Sequence, residues 1–223
     1  MKEQERVVVI YPHPDDEAFG ASGTISIFRE KGIPVTYLCG TLGEMGRNMG
    51  KPTFATRETL PQIRKKELID ACKILDIELR MLGYRDKTLE FEDREEVAKD
   101  LHQHLQEIKP TLVITHYPGY AVHPDHDAFG AAAIRAVEMF AEEDRPDVWA
   151  QAISNDHLEK LGTPDIQHDV TEVFDKKFAS ILAHESQAFG MLAKVDNGEE
   201  DPKETAMKWL GRESFYTWDF STK

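Results

Sequence analysis

Short apolar runs alternate along this chain with stretches of helical periodicity, and that alternation limits the fold more than any other feature. Val7 to Ile10, Val35 to Gly40 (VTYLCG) and Thr111 to His116 (TLVITH) are largely apolar and rich in β-branched residues, as strands buried on both faces require. Helical spacing spans Glu17 to Lys31, Arg57 to Leu75 and Arg94 to Ile108, the last stopping at Lys109-Pro110. Glu78 to Leu82, Val148 to Ile153 and Ile166 to Val170 read as shorter strands, and Ala128 to Ala141 and Thr171 to Phe189 as helices. A βαβα order predicts an α/β fold: three α/β/α layers, Rossmann-like, with a mainly parallel central sheet. The 223 residues suit one domain, in which the polar, acidic 196–204 segment is expected to form a lid before a closing segment at Trp209 to Phe220.

Charge narrows the partners. A formal net charge of -14 argues against nucleic acid or an anionic membrane. No run approaches the ~18 apolar residues of a membrane span, and MKEQER leads into the first strand without a signal-peptide core. A soluble, cytoplasmic protein is therefore expected. Cys39 and Cys72 both sit in apolar patterns and read as buried thiols, and without a CxxC there is no thiolate zinc site. One basic island interrupts the acidity: Arg47, Lys51, Arg57, Arg64, Lys65 and Lys66 face only Glu44 and Glu58, a local net of +4. Such an island is ordinarily a solvated helix face. Part of this one lies in TLGEMGRNMGKPT, a loop long enough after the second strand to suggest function.

The chemistry gathers in two matching stretches. His13-Pro14-Asp15-Asp16 follows the first strand and His123-Pro124-Asp125-His126 follows a later one, each with Ala-Phe-Gly two residues on. Ligands in open α/β sheets bind outside the carboxyl ends of strands, where both stretches fall. His13, Asp16 and His126 make two imidazoles and one carboxylate, the ligand count of a catalytic zinc with an open position. The same set admits ferrous iron. Asp15, between two ligands yet pointing elsewhere, suits a general base on water. His123, oriented and held protonated by Asp125, suits stabilisation of an oxyanion. Glu17 reads as a helix-start or supporting residue, and His116 either lines the site or supports a ligand. The bland alternative makes each stretch a Pro-containing helix start with Asp caps; two copies argue against it.

PHPDDE after the first strand and HPDH after a later one resemble the LmbE-like, or PIG-L, deacetylase family, zinc-dependent N-deacetylases of N-acetylglucosamine conjugates. The similarity extends to Thr41-x-Gly-Glu44-x-Gly46, Arg64-x-x-Glu67-Leu68 and His184-x-Ser186-Gln187. It implies His13, Asp16 and His126 as zinc ligands, Asp15 as base and His123 as the oxyanion partner, in agreement with the roles reached from the residues. The GTLGEMGRNMGKP and YPGYAVHPDHDAFG loops look most like bacillithiol-pathway members, which deacetylate N-acetylglucosaminyl-malate. Mycothiol-pathway relatives carry a tyrosine two residues before the HPDH histidine. Here that position is Ala121, with Tyr120 beside it, so return of the proton from Asp15 to the amine is the simpler proposal.

Malate carries two carboxylates, which an arginine fork binds well; Arg47, with Lys51 or Arg57, is the expected recognition group. Glu44, Tyr120 and His184 are further candidate substrate contacts, His184 alternatively supporting a ligand from behind. The partner implied is a small amino-sugar. The aromatic residues Trp209, Phe215, Tyr216, Trp218 and Phe220 read as core or as the contact of a homo-oligomer. Other readings stay open: a different GlcNAc conjugate or chito-oligosaccharide, a metal-dependent phosphoester or other C–N hydrolase, or a non-catalytic metal-binding protein. A nucleotide-binding module would need a Gly-rich turn where His-Pro-Asp-Asp stands.

Overall fold

Residues of the first strand, β1 (Val7–Tyr11), show no surface to solvent, and the alternation of their side chains divides the molecule into layers. Val7, Val9 and Tyr11 enter a core with Ile25, Phe28, Leu68 and Leu75. Val8 and Ile10 enter a second core, on the other face, with Val97, Leu101, Leu105, Phe129 and Val137. A computed structural model describes residues 4–48, 50–192 and 201–221. Helices α2 (Ser22–Glu30) and α3 (Leu60–Leu75), crossed by α7 (Phe174–Ala183), cover the first face. Helices α4 (Arg94–Ile108) and α5 (Pro124–Glu138) pair over the second, and a short helix, α6 (His157–Leu161), lies further along the chain.

The sheet between these layers has the order β3-β2-β1-β4-β5-β7-β6. β2 (Val35–Cys39), β3 (Glu78–Met81), β4 (Leu112–His116) and β5 (Asp147–Gln151) run parallel to β1. β7 (Arg212–Thr217) enters antiparallel between β5 and β6 (Ile166–Asp169). From β1 the chain winds outward through β2 to β3, then returns to the other side of β1 as β4. The crevice between the carboxyl ends of β1 and β4 is therefore the switch point at which doubly wound sheets take ligands. Cys39 and Cys72 are free and buried, as expected. Among the described residues no helix is long and apolar enough to cross a membrane.

Several boundaries depart from the pattern read in the sequence. The helix expected over Glu17 to Lys31 is two, α1 (Asp16–Gly20) and α2, parted at Ala21. The cause is distant. Glu213 on β7 accepts the Gly23 and Thr24 amides at 2.8 and 2.7 Å and pairs with buried Lys177, so it caps α2 from across the sheet. The helix expected over Thr171 to Phe189 breaks at His184 into α7 and α8 (Glu185–Leu192). Helix α3 starts at Leu60 rather than Arg57, and α5 starts at Pro124, inside the second motif, rather than at Ala128. The expected lid over 196–204 falls partly outside the described residues; its last four, 201–204, begin α9 (Pro202–Leu210), whose start Asp201 caps through the Lys203 and Glu204 amides. The aromatic cluster is not one unit. Phe215 and Tyr216 are buried on β7, Trp218 and Phe220 lie partly buried on the second core, and Trp209 is exposed.

Candidate metal centre

The first turn is set by packing from below and an arginine from the side. Tyr37 Oη donates to the His13 carbonyl at 2.7 Å, and the Gly40 and Thr41 amides continue the β1–β2 ladder onto Tyr11 and Pro12. At Asp15 the backbone turns left-handed, φ 92° and ψ -25°, an uncommon conformation for a residue with a Cβ. Glu17 accepts the Asp15 amide at 3.1 Å, and the Arg64 guanidinium lies 3.3 Å from the Asp15 carboxylate while donating to the Pro14 and Gly43 carbonyls. Gly43 is required there, because a Cβ would sit 1.9 Å from the guanidinium. The turn thus aims the Asp15 carboxylate away from the Asp16 carboxylate, which begins α1 and accepts the His13 amide at 2.9 Å.

The second turn arrives from β4 by a longer loop. Asp127 accepts the Gly119 and Ala121 amides at 2.7 and 3.1 Å and so closes that loop onto the start of α5. His123 caps α5 in extended conformation, its Nδ1 accepting the Asp125 amide at 3.2 Å. Its Nε2 therefore carries the proton and is a donor. His126, in the first turn of the helix, donates from Nδ1 to the Ala121 carbonyl at 3.0 Å, and its ring stacks on His116 with centroids 4.1 Å apart.

The two turns meet ring to ring. His13 Nδ1 lies 3.1 Å from His126 Nε2 and 3.5 Å from an Asp16 carboxylate oxygen, and the other Asp16 oxygen lies 3.3 Å from His126 Nε2. The far nitrogen of His13, Nε2, faces Asp86 at 3.1 Å and Asp125 at 3.2 Å. Carboxylates behind Nε2 hold the proton there, as Ala121 holds it on His126 Nδ1. Two nitrogen lone pairs and a carboxylate then converge on one point, an arrangement that requires a positive charge at its centre. Burial alone would push the His13 pKa down, yet hydrogen bonds to Asp125, Asp16 and Asp86 raise it well above the usual range. Burial opposes the charge of Asp16 too, but His126 and His13 hold its pKa well below the usual range. The donor set fits a divalent metal, with imidazoles oriented from behind by a carboxylate and a carbonyl. His123 and His116 flank the set within coordinating distance, each in a group whose donor atoms lie within 4.8 Å of one another.

Asp15 stands apart from His13, Asp16 and His126. Burial is the largest influence on it and lifts its pKa to about 6, against the downward pull of Arg64. A carboxyl in that range can take a proton and give it back near neutrality.

The remaining sequence assignments divide. Asp125 does not orient His123 through its carboxylate: fully buried, it accepts the Lys87 and Leu89 amides and braces His13 instead. Nor is His123 held protonated, since burial and then the neighbouring His13 and His126 lower its pKa. His184 cannot touch substrate; it is completely buried and bonds Glu17 at 2.7 Å. Glu17 has the supporting role expected. Glu44 accepts the Asp86 amide at 2.9 Å, which makes it a brace of that loop. Arg64 is not part of a solvated face but 4% exposed, against Asp15. Arg47 is exposed, Lys51 lies over the Phe189 ring, and Tyr120 packs edge-on against Tyr117. Asp86 was missed. A lone Asp in GYRDKT carries no periodicity; its role rests on the left-handed turn at Lys87 and on the Met45 amide that holds its carboxylate.

The family model described as GlcNAc-PI de-N-acetylase (PIG-L) matches residues 8–137, the part of the chain that contains both turns. A Bacillus cereus protein named probable N-acetyl-alpha-D-glucosaminyl L-malate deacetylase 2 is 50% identical over 216 residues, covering 96% of this chain and 98% of its own. N,N'-diacetylchitobiose deacetylase from Pyrococcus horikoshii, solved with an inhibitor, superposes with a TM-score of 0.74 at 25% identity, over 97% of this chain and 84% of that one. The 4-carboxy-2-hydroxymuconate hydratase GalB of Pseudomonas putida shares the fold, with a TM-score of 0.72 at 20% identity over 98% of both chains.

Proposed function

The chain belongs to the PIG-L family of de-N-acetylases, and from that premise we propose that it removes the acetyl group of N-acetylglucosaminyl-malate with a resident zinc ion. The observation that carries the hydrolytic reading is the position of Asp15: beside the convergent His13, Asp16 and His126, tied to Arg64, and outside the ligand set. His13, Asp16 and His126 would hold the metal, which when bound supplies Lewis acidity that polarises an amide carbonyl and acidifies water. Their two-imidazole, one-carboxylate set suits zinc, with ferrous iron the alternative.

Asp15 accepts a proton from the attacking water as its oxygen adds to the acetyl carbon. His123, neutral and with its proton on Nε2, donates a hydrogen bond to the oxyanion that develops on the carbonyl oxygen. Asp15 then passes its proton to the sugar nitrogen as the C–N bond breaks, leaving acetate and a free amine. Tyr120 is not needed as an acid. The malate assignment rests on the Bacillus relative and on Arg47, an exposed guanidinium on the basic loop that follows β2.

The test compares kcat/KM on N-acetylglucosaminyl-malate and on plain N-acetylglucosamine, for wild type and Arg47→Ala. A lost charged hydrogen bond predicts a fall of about 10- to 100-fold on the malate conjugate and little change on the plain sugar. Equal losses on the two substrates would remove malate from the assignment.

A further inference from the structure

The His184-x-Ser186-Gln187 motif is used for more than supporting Glu17. Where the break at His184 ends α7, α8 sets out in a new direction, and its first turn is fastened to α3: the Ser186 amide and hydroxyl both donate to Glu67, each at 2.7 Å. Glu67 lies one turn beyond Arg64 on α3, the residue that holds the Gly43 carbonyl at the start of the basic loop. From this mount Gln187, 8% exposed, donates from Nε2 to the Arg47 carbonyl at 2.8 Å. The same nitrogen faces the Ser186 carbonyl at 3.0 Å, so two acceptors fix the amide orientation. Two residues further, the Phe189 ring takes the Lys51 ammonium 4.9 Å from its centroid. The loop is thus held at Gly43 by α3, at Met45 by Asp86, and at Arg47 and Lys51 by α8.

We propose that Gln187 is a positioning residue for substrate choice: by gripping the Arg47 carbonyl it fixes where the Arg47 guanidinium meets an anionic aglycone. This rests on the malate reading given above. An exposed arginine on a free loop would lose much of its binding to the entropy of ordering. A buried amide on a helix anchored to the same α3 that positions Asp15 relates the carboxylate-binding group to the catalytic base through rigid elements.

Gln187→Leu keeps the size and removes the donor. Hydrogen exchange of residues 43–48 and steady-state kinetics on the two substrates are then measured. Exchange across 43–48 should accelerate. On the malate conjugate kcat/KM should fall about 10-fold, mainly through KM, while the plain sugar changes by less than about twofold and bound metal is unaltered. Gln187→Glu, which cannot donate to a carbonyl, should reproduce the loss. Unchanged exchange across 43–48 overturns the brace whatever the substrate does. Accelerated exchange with equal losses on both substrates overturns the specificity role. A wild type that does not prefer the malate conjugate overturns the malate reading, and the specificity half of this inference with it.

Discussion

The first and second turns carry nearly the same eight residues, His13 to Gly20 and His123 to Gly130, yet the matching positions do different work. On the reading proposed above, the first turn's His and fourth residue would hold the metal and the Asp after Pro would act as the base. In the second, the Asp braces the other turn's histidine, and on the same reading His would donate to the oxyanion while only the fourth residue would hold the metal. Backbone conformation makes the difference. The first turn goes left-handed at Asp15, which throws that carboxylate out toward Arg64. The second enters helix directly at Pro124, which sends the Asp125 carboxylate inward to His13 and the Lys87 and Leu89 amides. What the turns share is scaffold. The fifth residue accepts nearby backbone amides, Glu17 that of Asp15 and Asp127 those of Gly119 and Ala121, and each closing glycine admits a group that a Cβ would strike, the Gln151 side chain at Gly20 and the His116 carbonyl at Gly130. A repeated motif fixes where groups can stand; the φ of one residue decides which way they point.

Substitutions in the second turn test this division, beginning with the largest effect. His126→Ala removes a residue that faces both His13 and Asp16, so stoichiometric metal and all measurable deacetylation should be lost together, read by metal analysis of the purified variant. A variant that keeps its metal would remove His126 from the ligand set. His123→Ala should keep metal and lower kcat by about 10²- to 10³-fold, the usual cost of one oxyanion donor; loss of metal instead would make the donor a ligand. Asp127→Ala should act through the loop alone. Leaving the Gly119 and Ala121 amides without their acceptor costs about 1–3 kcal/mol, seen as a Tm lower by roughly 2–10 °C, with metal retained.

Much of this was legible in the sequence where the controlling contacts are local. β1, β2 and β4 announce themselves because strands covered on both faces must be apolar throughout, and α4 runs over the residues expected because Asp93 caps it and Lys109-Pro110 ends it. The two histidines and the aspartate that converge were visible as a doubled motif at strand ends. What escaped depends on contacts distant in the chain. The apolar period runs unbroken through Ala21, and the acceptor for the amides freed where the helix restarts is Glu213, arriving on an antiparallel strand. Asp86 looks like any loop aspartate until the fold brings it behind His13. Arg64 sits among basic neighbours that suggest solvent, and its burial follows from the carbonyls of Pro14 and Gly43 closing around it.

The division of labour between the turns is tested most directly by treating the two equivalent aspartates alike. Asp15→Asn and Asp125→Asn are each titrated with zinc against a competing chelator, and kcat is measured at saturating metal. Asp15→Asn should bind zinc like wild type and lose about 10²- to 10⁴-fold in kcat, as removal of a general base does. Asp125→Asn should bind zinc about 10- to 100-fold more weakly, since it braces a ligand, and recover most of its kcat once loaded. The reverse pattern, with metal lost at Asp15 and turnover lost in fully loaded Asp125→Asn, would contradict the assignment of base and brace.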